Sequence, residues 1–339
     1  MKKILVFHTA FIGDIVLSTP LIKNIKKLYN CKIDYVTTKA GSLILQNNPY
    51  LDNIIVYDKR GVDKGIKGAF NLIKKLKKQK YDIVFIPHRY LRSSLIVFFS
   101  KIPVRIGYKN SEGKIFLNKL VEYRKDLHEV DRLLKLLQVE NEEKLEKQIE
   151  LFPNRENQEK IDEIFEKNSI KNKKVVVIAP GSKWFTKMWP TEYFNEIIKK
   201  LETKDNIKIV LIGGKDEEKL DLIQTKNSIN LIGKTSLLDL AEIMKRADIV
   251  LTNDSSPIHI ASAFNKPYIF AIFGATVKEL GFYPWSKNSE VIENKGLYCR
   301  PCGLHGGNNC PEGHFKCMKD IKPEYVYEKI VKKLGENNE

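Results

Sequence analysis

The chain has 339 residues, 42% of them apolar, with a formal net charge of +16; that is long for one domain, well suited to two, and rich enough in apolar residues for real cores. No apolar run approaches the ~18–20 residues that span a bilayer, which excludes a membrane-spanning helix. Residues 1–150 hold 29 Lys+Arg against 16 Asp+Glu, while 151–339 hold 29 against 26, so the first half points to an anionic partner (nucleic acid, acidic lipid headgroups or an anionic sugar) or else to a lysine-rich solvated surface.

Lysine outnumbers arginine 49 to 9, and arginine is the better reader of base edges, so sequence-specific nucleic-acid binding is disfavoured. The start, MKKILVF, imitates a signal peptide. His8 and Asp14 interrupt its apolar run and no small-residue cleavage site follows, so 3–8 is expected to be the first strand of a cytoplasmic protein. Helical spacing over 14–29 predicts a helix. The runs KIDYVTT (32–38), NIIVYD (53–58) and DIVFIP (82–87) predict strands, and GIKGAFNLIKKLKKQ (65–79) an amphipathic helix. A charged stretch, about 141–173, marks a domain junction. The pattern then restarts: strand 174–181, helix 190–202, strand 208–214, helix 216–224, then a strand at INLIG and a helix at SLLDLAEIMKRA. Strand DIVLTN, a helix from about 256 and strand PYIFAIFG complete it. Strands alternating with helices predict an α/β fold of two doubly wound, Rossmann-like parallel sheets, with ligands at the strand carboxyl ends. The expected domains are 1–155 and 172–322, with helix 323–335 crossing back onto the first.

Four strand ends stand out. In HTAFIGDIVLSTP (8–20), Gly13 allows close backbone approach and Asp14 is either a helix cap or a carboxylate available as a general base. In APGSKWFTKMWP (179–190), Ser182, Lys183, Thr186 and Lys187 precede a helix, which makes either an anion site or a basic surface loop. In IGGKDEE (212–218), Gly213 could admit a flat ring or ribose and Glu217 bind its hydroxyls, or the segment is a tight turn; GxGxxG is missing, which weighs against NAD. In TNDSSPIHIASAFNKP (252–267), a helix cap explains one hydroxyl but not the coincidence of Asp254, Ser255, Ser256, Pro257 and His259. Cys299, Cys302, Cys310 and Cys317 suffice in number for a structural zinc, although they are not two CxxC pairs; the alternative is buried thiols. No D-x-D triplet occurs, which argues against a metal-bridged nucleotide-sugar site.

FIGDIVLSTP, PGSKWFTKMWP, TNDSSPIHIASAFNKP and the late cysteines together resemble the bacterial heptosyltransferases of glycosyltransferase family 9, over essentially the whole chain. The resemblance implies a GT-B fold and transfer of heptose from ADP-heptose to the inner core of lipopolysaccharide, by a cytoplasmic enzyme peripheral to the inner membrane. It implies Asp14 as general base, Lys187 on the donor pyrophosphate, Ser182 on a phosphate and Glu217 near the ribose. Asp254, Ser255, Ser256, Pro257 and His259 fall on the donor motif, where Ser256 stands in place of a glycine. Catalysis is expected to be inverting and to need no cofactor. The acceptor would be the anionic, Kdo-bearing lipid A. Another nucleotide-sugar transferase or epimerase of the same fold, or a basic nucleic-acid or membrane-surface binding protein, are the competing expectations.

Overall fold

Continuous apolar runs build two six-stranded parallel sheets. In the computed structural model, which describes residues 1–335, the first sheet holds β1 Lys3–Phe7, β2 Lys32–Thr37, β3 Asn53–Val56, β4 Ile83–Phe85, β5 Val104–Tyr108 and β6 Lys119–Val121. The second holds β7 Lys174–Ala179, β8 Ile207–Leu211, β9 Ser228–Asn230, β10 Ile249–Asn253, β11 Tyr268–Phe273 and β12 Ser289–Glu293. Ile4, Leu5, Val6 and Phe7 are fully buried, as are Ile209, Val210 and Leu211; helices cover both sheet faces, so successive side chains on either face must be apolar.

The strand orders are β3-β2-β1-β4-β5-β6 and β12-β11-β10-β7-β8-β9. In each sheet the chain builds outward on one side and then returns to the other. The reversal lies between β1 and β4 in the first, and between β7 and β10 in the second. There the loops leaving neighbouring strands diverge and open a crevice. The stretches picked out at 8–14, 180–190 and 254–257 leave β1, β7 and β10 respectively, so the topology delivers each to a crevice.

The units divide at Phe152 and Pro153, close to the expected 155. The helix Arg155–Lys167 belongs to the second unit, where Asn157 and Lys160 both reach the Asp239 carboxylate (2.8 and 2.5 Å). The last helix, Pro323–Leu334, was expected to cross onto the first domain. Its apolar face goes instead into the second unit's own core: Val326 and Ile330 are fully buried beside Phe194 and Ile197, and Lys200 pairs with Glu324. Burial of two such side chains is worth about 1.5–3 kcal/mol each.

Two expected helices differ. The 14–29 helix is two, Ile12–Leu17 and Thr19–Tyr29, joined at Ser18. Pro20 near the start of the second cannot donate the bond that would continue the first. At 216–224 only the turn Lys215–Glu217 forms. Asn195 clamps the rest in an extended shape, donating to the Asp221 carbonyl (2.8 Å) and accepting from the Ile223 amide (3.0 Å).

Candidate active site

In the second unit, both ends of the loop after β7 are stapled to the end of β10 by one side chain. Asn253, fully buried at the end of β10, donates to the Pro180 carbonyl (2.6 Å) and accepts from the Trp189 amide (3.0 Å). The Trp189 indole is itself buried and donates to the Ile321 carbonyl (2.9 Å). The lysine of this loop is thereby held over the crevice: Lys187 Nζ lies 2.6 Å from Asp254 Oδ2, with both side chains largely buried. Thr276 donates its hydroxyl to the same oxygen at 2.5 Å.

Thr276 is fixed in turn by Arg300. The guanidinium donates to the carbonyls of Thr276 (2.6 Å), Gly274 (2.5 Å) and Asn294 (2.6 Å), and pairs with Glu293 at 2.8 Å. A buried arginine with every arm engaged is a rigid brace. Neither Asn253 nor Arg300 figured among the sequence candidates. The available signals were an amide ending a strand and an arginine inside an otherwise apolar-flanked cysteine cluster.

Glu217 sits in a cradle between two glycines. A β-carbon on Gly181 would meet its Oε1 at 1.7 Å, and one on Gly213 its Oε2 at 2.3 Å. Oε2 also accepts the Gly214 amide at 2.6 Å. Burial raises the Glu217 pKa above its ordinary value, with that amide opposing. Gly213 therefore makes room for Glu217, and the structure brings Glu217 beside the loop that holds Ser182 and Lys187.

Thr186 has a different task from the one expected. Its hydroxyl donates to the Gly307 carbonyl (3.1 Å) and accepts the Gly307 amide (2.7 Å); both capacities are engaged by backbone, so it anchors the late loop. Ser255 is the extended residue before the helix Ser256–Ala261, and its hydroxyl donates to the Gly181 carbonyl at 3.3 Å. Pro257 carries no N–H, so the amides at this helix start come from Ser255 and Ser256. His259 is buried one turn in. His305 is coupled to this crevice by charge: partial desolvation, then the charges of Lys187 and Lys183, lower its pKa, with Asp254 opposing.

The zinc expectation gains no support from the structure. Among the described residues no group of three or more His, Cys, Asp or Glu side chains is arranged to hold a metal ion. Cys317 is buried against the apolar core with Met318 and Phe315, and Cys302 Sγ is directed at the Cys299 carbonyl (3.2 Å). Burial, then the neighbouring Cys302, pushes the Cys317 thiol up to about 11. The loop is held by Arg300 and Thr186.

In the first unit, Asp14 stands in the first turn of Ile12–Leu17, where Oδ2 accepts the Phe11 amide at 3.1 Å. It is thus a cap, and its charge reaches into the crevice, raising the pKa values of Tyr35 and Glu129 as a secondary cause after burial. His8 and His88, from the loops after β1 and β4, stack at 5.5 Å. His8 Nδ1 meets the Tyr35 hydroxyl at 3.2 Å, and that hydroxyl meets Ser18 Oγ at 2.7 Å. Burial, then Lys59, lowers His8 to about 3, and burial, then His8, lowers His88 well below its ordinary value, so both rings are neutral near pH 7. His88 Nδ1 is buried without a hydrogen-bond partner among the described residues. Glu129 pairs with Arg132 at 3.0 Å; burial, then Asp14, raises it to about 7. Lys59 donates to the Thr9 carbonyl at 3.0 Å, placing a cation at the rim.

The family model for glycosyltransferase family 9 (heptosyltransferase) matches residues 69–310, more than half of the chain. The chain belongs to glycosyltransferase family 9. The Lys187–Asp254 crevice lies in the matched span. The chain spans about half the length of a Campylobacter jejuni lipooligosaccharide heptosyltransferase 2, at 34% identity over 47% of this chain and 51% of that one. A Haemophilus influenzae lipooligosaccharide heptosyltransferase 2 is 25% identical over 98% of this chain and 99% of its own. The Escherichia coli ADP-heptose LPS heptosyltransferase II structure superposes with a TM-score of 0.79 at 21% identity, covering 98% of both chains. At that identity it establishes the fold alone, which is GT-B.

Proposed function

We propose that this family 9 enzyme transfers heptose from ADP-heptose to the Kdo/heptose inner core of lipopolysaccharide, with inversion and without a catalytic metal ion. The observation that carries the reading is the Lys187–Asp254 pair at 2.6 Å, set where the loops of β7 and β10 diverge. A buried ammonium there, with the Ser255 and Ser256 amides beside it, suits a pyrophosphate. Asp254 holds Lys187 until the donor arrives and is then free to accept sugar hydroxyls. Glu217, cradled by Gly181 and Gly213, suits the ribose hydroxyls, and Ser182 a phosphate oxygen.

The reaction follows from these roles. The Asp14 carboxylate takes the proton of an acceptor hydroxyl. That oxygen attacks the anomeric carbon on the face opposite the phosphate, the bond from carbon to phosphate oxygen breaks, and ADP leaves with the electron pair. Lys187 and the two amides stabilise the charge that develops on the leaving oxygen. The lysine-rich first unit suits an acceptor carrying Kdo carboxylates and phosphates. No helix among the described residues is long and apolar enough to cross a membrane; the proposed location is cytoplasmic, at the inner membrane surface.

The test is transfer from ADP-heptose to Kdo-bearing lipid A in the presence of a chelator, with the anomeric configuration of the product read by NMR. Inverted product formed in the chelator supports the assignment. Turnover of UDP- or GDP-sugars with none of ADP-heptose contradicts it.

A further inference from the structure

The loop leaving β3 and the helix Gly65–Gln79 present an apolar edge that the chemistry above does not use. Val62 and Ile66 are 91% and 90% exposed, and Phe70 is 53% exposed. Gly68, Leu72 and Leu76 are the buried positions of this helix. Ile66 and Phe70 each precede one of them by two residues, about 200° around the helix, so they point away from the core. Large apolar side chains on that side of an amphipathic helix gain nothing from folding.

Cations surround them. Arg60, Lys64, Lys67 and Lys74 are exposed, and Lys74 Nζ lies 4.7 Å from the Phe70 ring centroid. No acid occurs from 64 to 81. The two acids of the preceding loop are turned onto its backbone: Asp63 accepts the Asp58 amide (2.9 Å) and Asp58 the Gly61 amide (3.0 Å). The outward surface is left cationic and apolar. It is also held in place: Arg92 donates to the Gly65 carbonyl (2.7 Å) at the helix start, and Lys59 ties the loop to Thr9. This edge stands at the carboxyl ends of the strands, the same side of the sheet as Asp14.

We propose that this edge is a docking surface for an anionic lipid bilayer. Val62, Ile66 and Phe70 enter the boundary between headgroups and acyl chains, while Arg60, Lys64, Lys67 and Lys74 meet headgroup phosphates. The proposal rests on the lipid-anchored acceptor of the preceding section, since docking here brings the Asp14 crevice to the surface that displays such an acceptor. A second apolar patch, Phe98, Phe99 and Ile115, borders a groove of about 320 Å³ that Ile102 and Pro103 line with the two phenylalanines. It lies at the amino end of β5, on the opposite edge, and would turn Asp14 away from the bilayer; it supplies the control.

The experiment is co-sedimentation with phosphatidylcholine vesicles, with and without phosphatidylglycerol, free of donor and acceptor. The wild type is expected to bind the anionic vesicles, and less as salt rises. The double variant Val62→Ser/Ile66→Ser should bind at least about tenfold more weakly, with Phe99→Ser unchanged. Both changes are at exposed positions, and an unaltered melting temperature checks the fold. Equal binding of the double variant and wild type overturns the proposal, as does loss on Phe99→Ser, or wild-type binding to duplex DNA in place of vesicles. Transfer to a deacylated, soluble acceptor should be unchanged in the double variant; a loss there places these residues in the acceptor site and also overturns it. Vesicle binding is read without chemistry, so a failed heptose assignment and a failed docking surface are told apart.

Discussion

The two sheets share one topology, with strand orders that reverse at the same point, yet their crevices are built in opposite ways. The second is a braced ion pair: Asn253 staples the loop after β7 to β10, Arg300 fixes Thr276, and Thr276 and Lys187 converge on Asp254. The first is lined by neutral imidazoles with carboxylates at its side, and Lys59 stands at its rim. A fold supplies the crevice and its loops supply the chemistry. Fixed positive charge suits a pyrophosphate leaving group, whereas a carboxylate in a partly desolvated pocket suits a base.

The division can be broken by substitution. Asp14→Asn should have the largest effect, lowering kcat by about 10²–10⁴ if it removes the base, as measured by initial rates of transfer. Next is Lys187→Ala, which leaves Asp254 buried with only Thr276. It should cost roughly 3 kcal/mol of stability by denaturant titration, together with most of the donor affinity. Asn253→Ala leaves the Trp189 amide and Pro180 carbonyl without their partner and should cost about 2 kcal/mol; a variant as stable as the wild type would show that the staple is incidental.

Much of this was legible in the sequence, and for a physical reason. Strands covered on both faces must be apolar throughout, so runs such as KVVVIA and IVLTN announce themselves, and the polar residues that end them mark the crevices. What stayed hidden depends on partners distant in sequence. Asn253 reads as one more loop amide until Pro180 and Trp189 are seen on either side of it. The helix expected at 216–224 has the right local signals and is overruled by Asn195. The cysteines suit a metal by number and not by spacing, and the sequence does not show that Cys317 packs into the apolar core. Strands β5, β6 and β12, too short or too mixed to announce themselves, were passed over.

The smallest predicted effect sharpens the electrostatic contrast in the first crevice. Glu129 is raised from 4.5 to about 7, so the folded state binds its proton more tightly than the unfolded chain. Its contribution to stability is fully present below about 4.5 and is lost as pH rises toward 7. His8, lowered from 6.5 to about 3, works the other way: its contribution is lost as pH falls below about 6.5. Glu129→Gln should therefore remove the component that opposes His8 and steepen the loss of stability as pH falls from about 7 to 5, as followed by melting temperature across pH.

The most direct test of the division of labour is the affinity for ADP-heptose, measured by calorimetry on the wild type, Asp14→Asn and Lys187→Ala. The account predicts wild-type affinity in Asp14→Asn despite its loss of transfer, and a drop of about tenfold or more in Lys187→Ala. Donor binding lost with Asp14→Asn and retained with Lys187→Ala would contradict it.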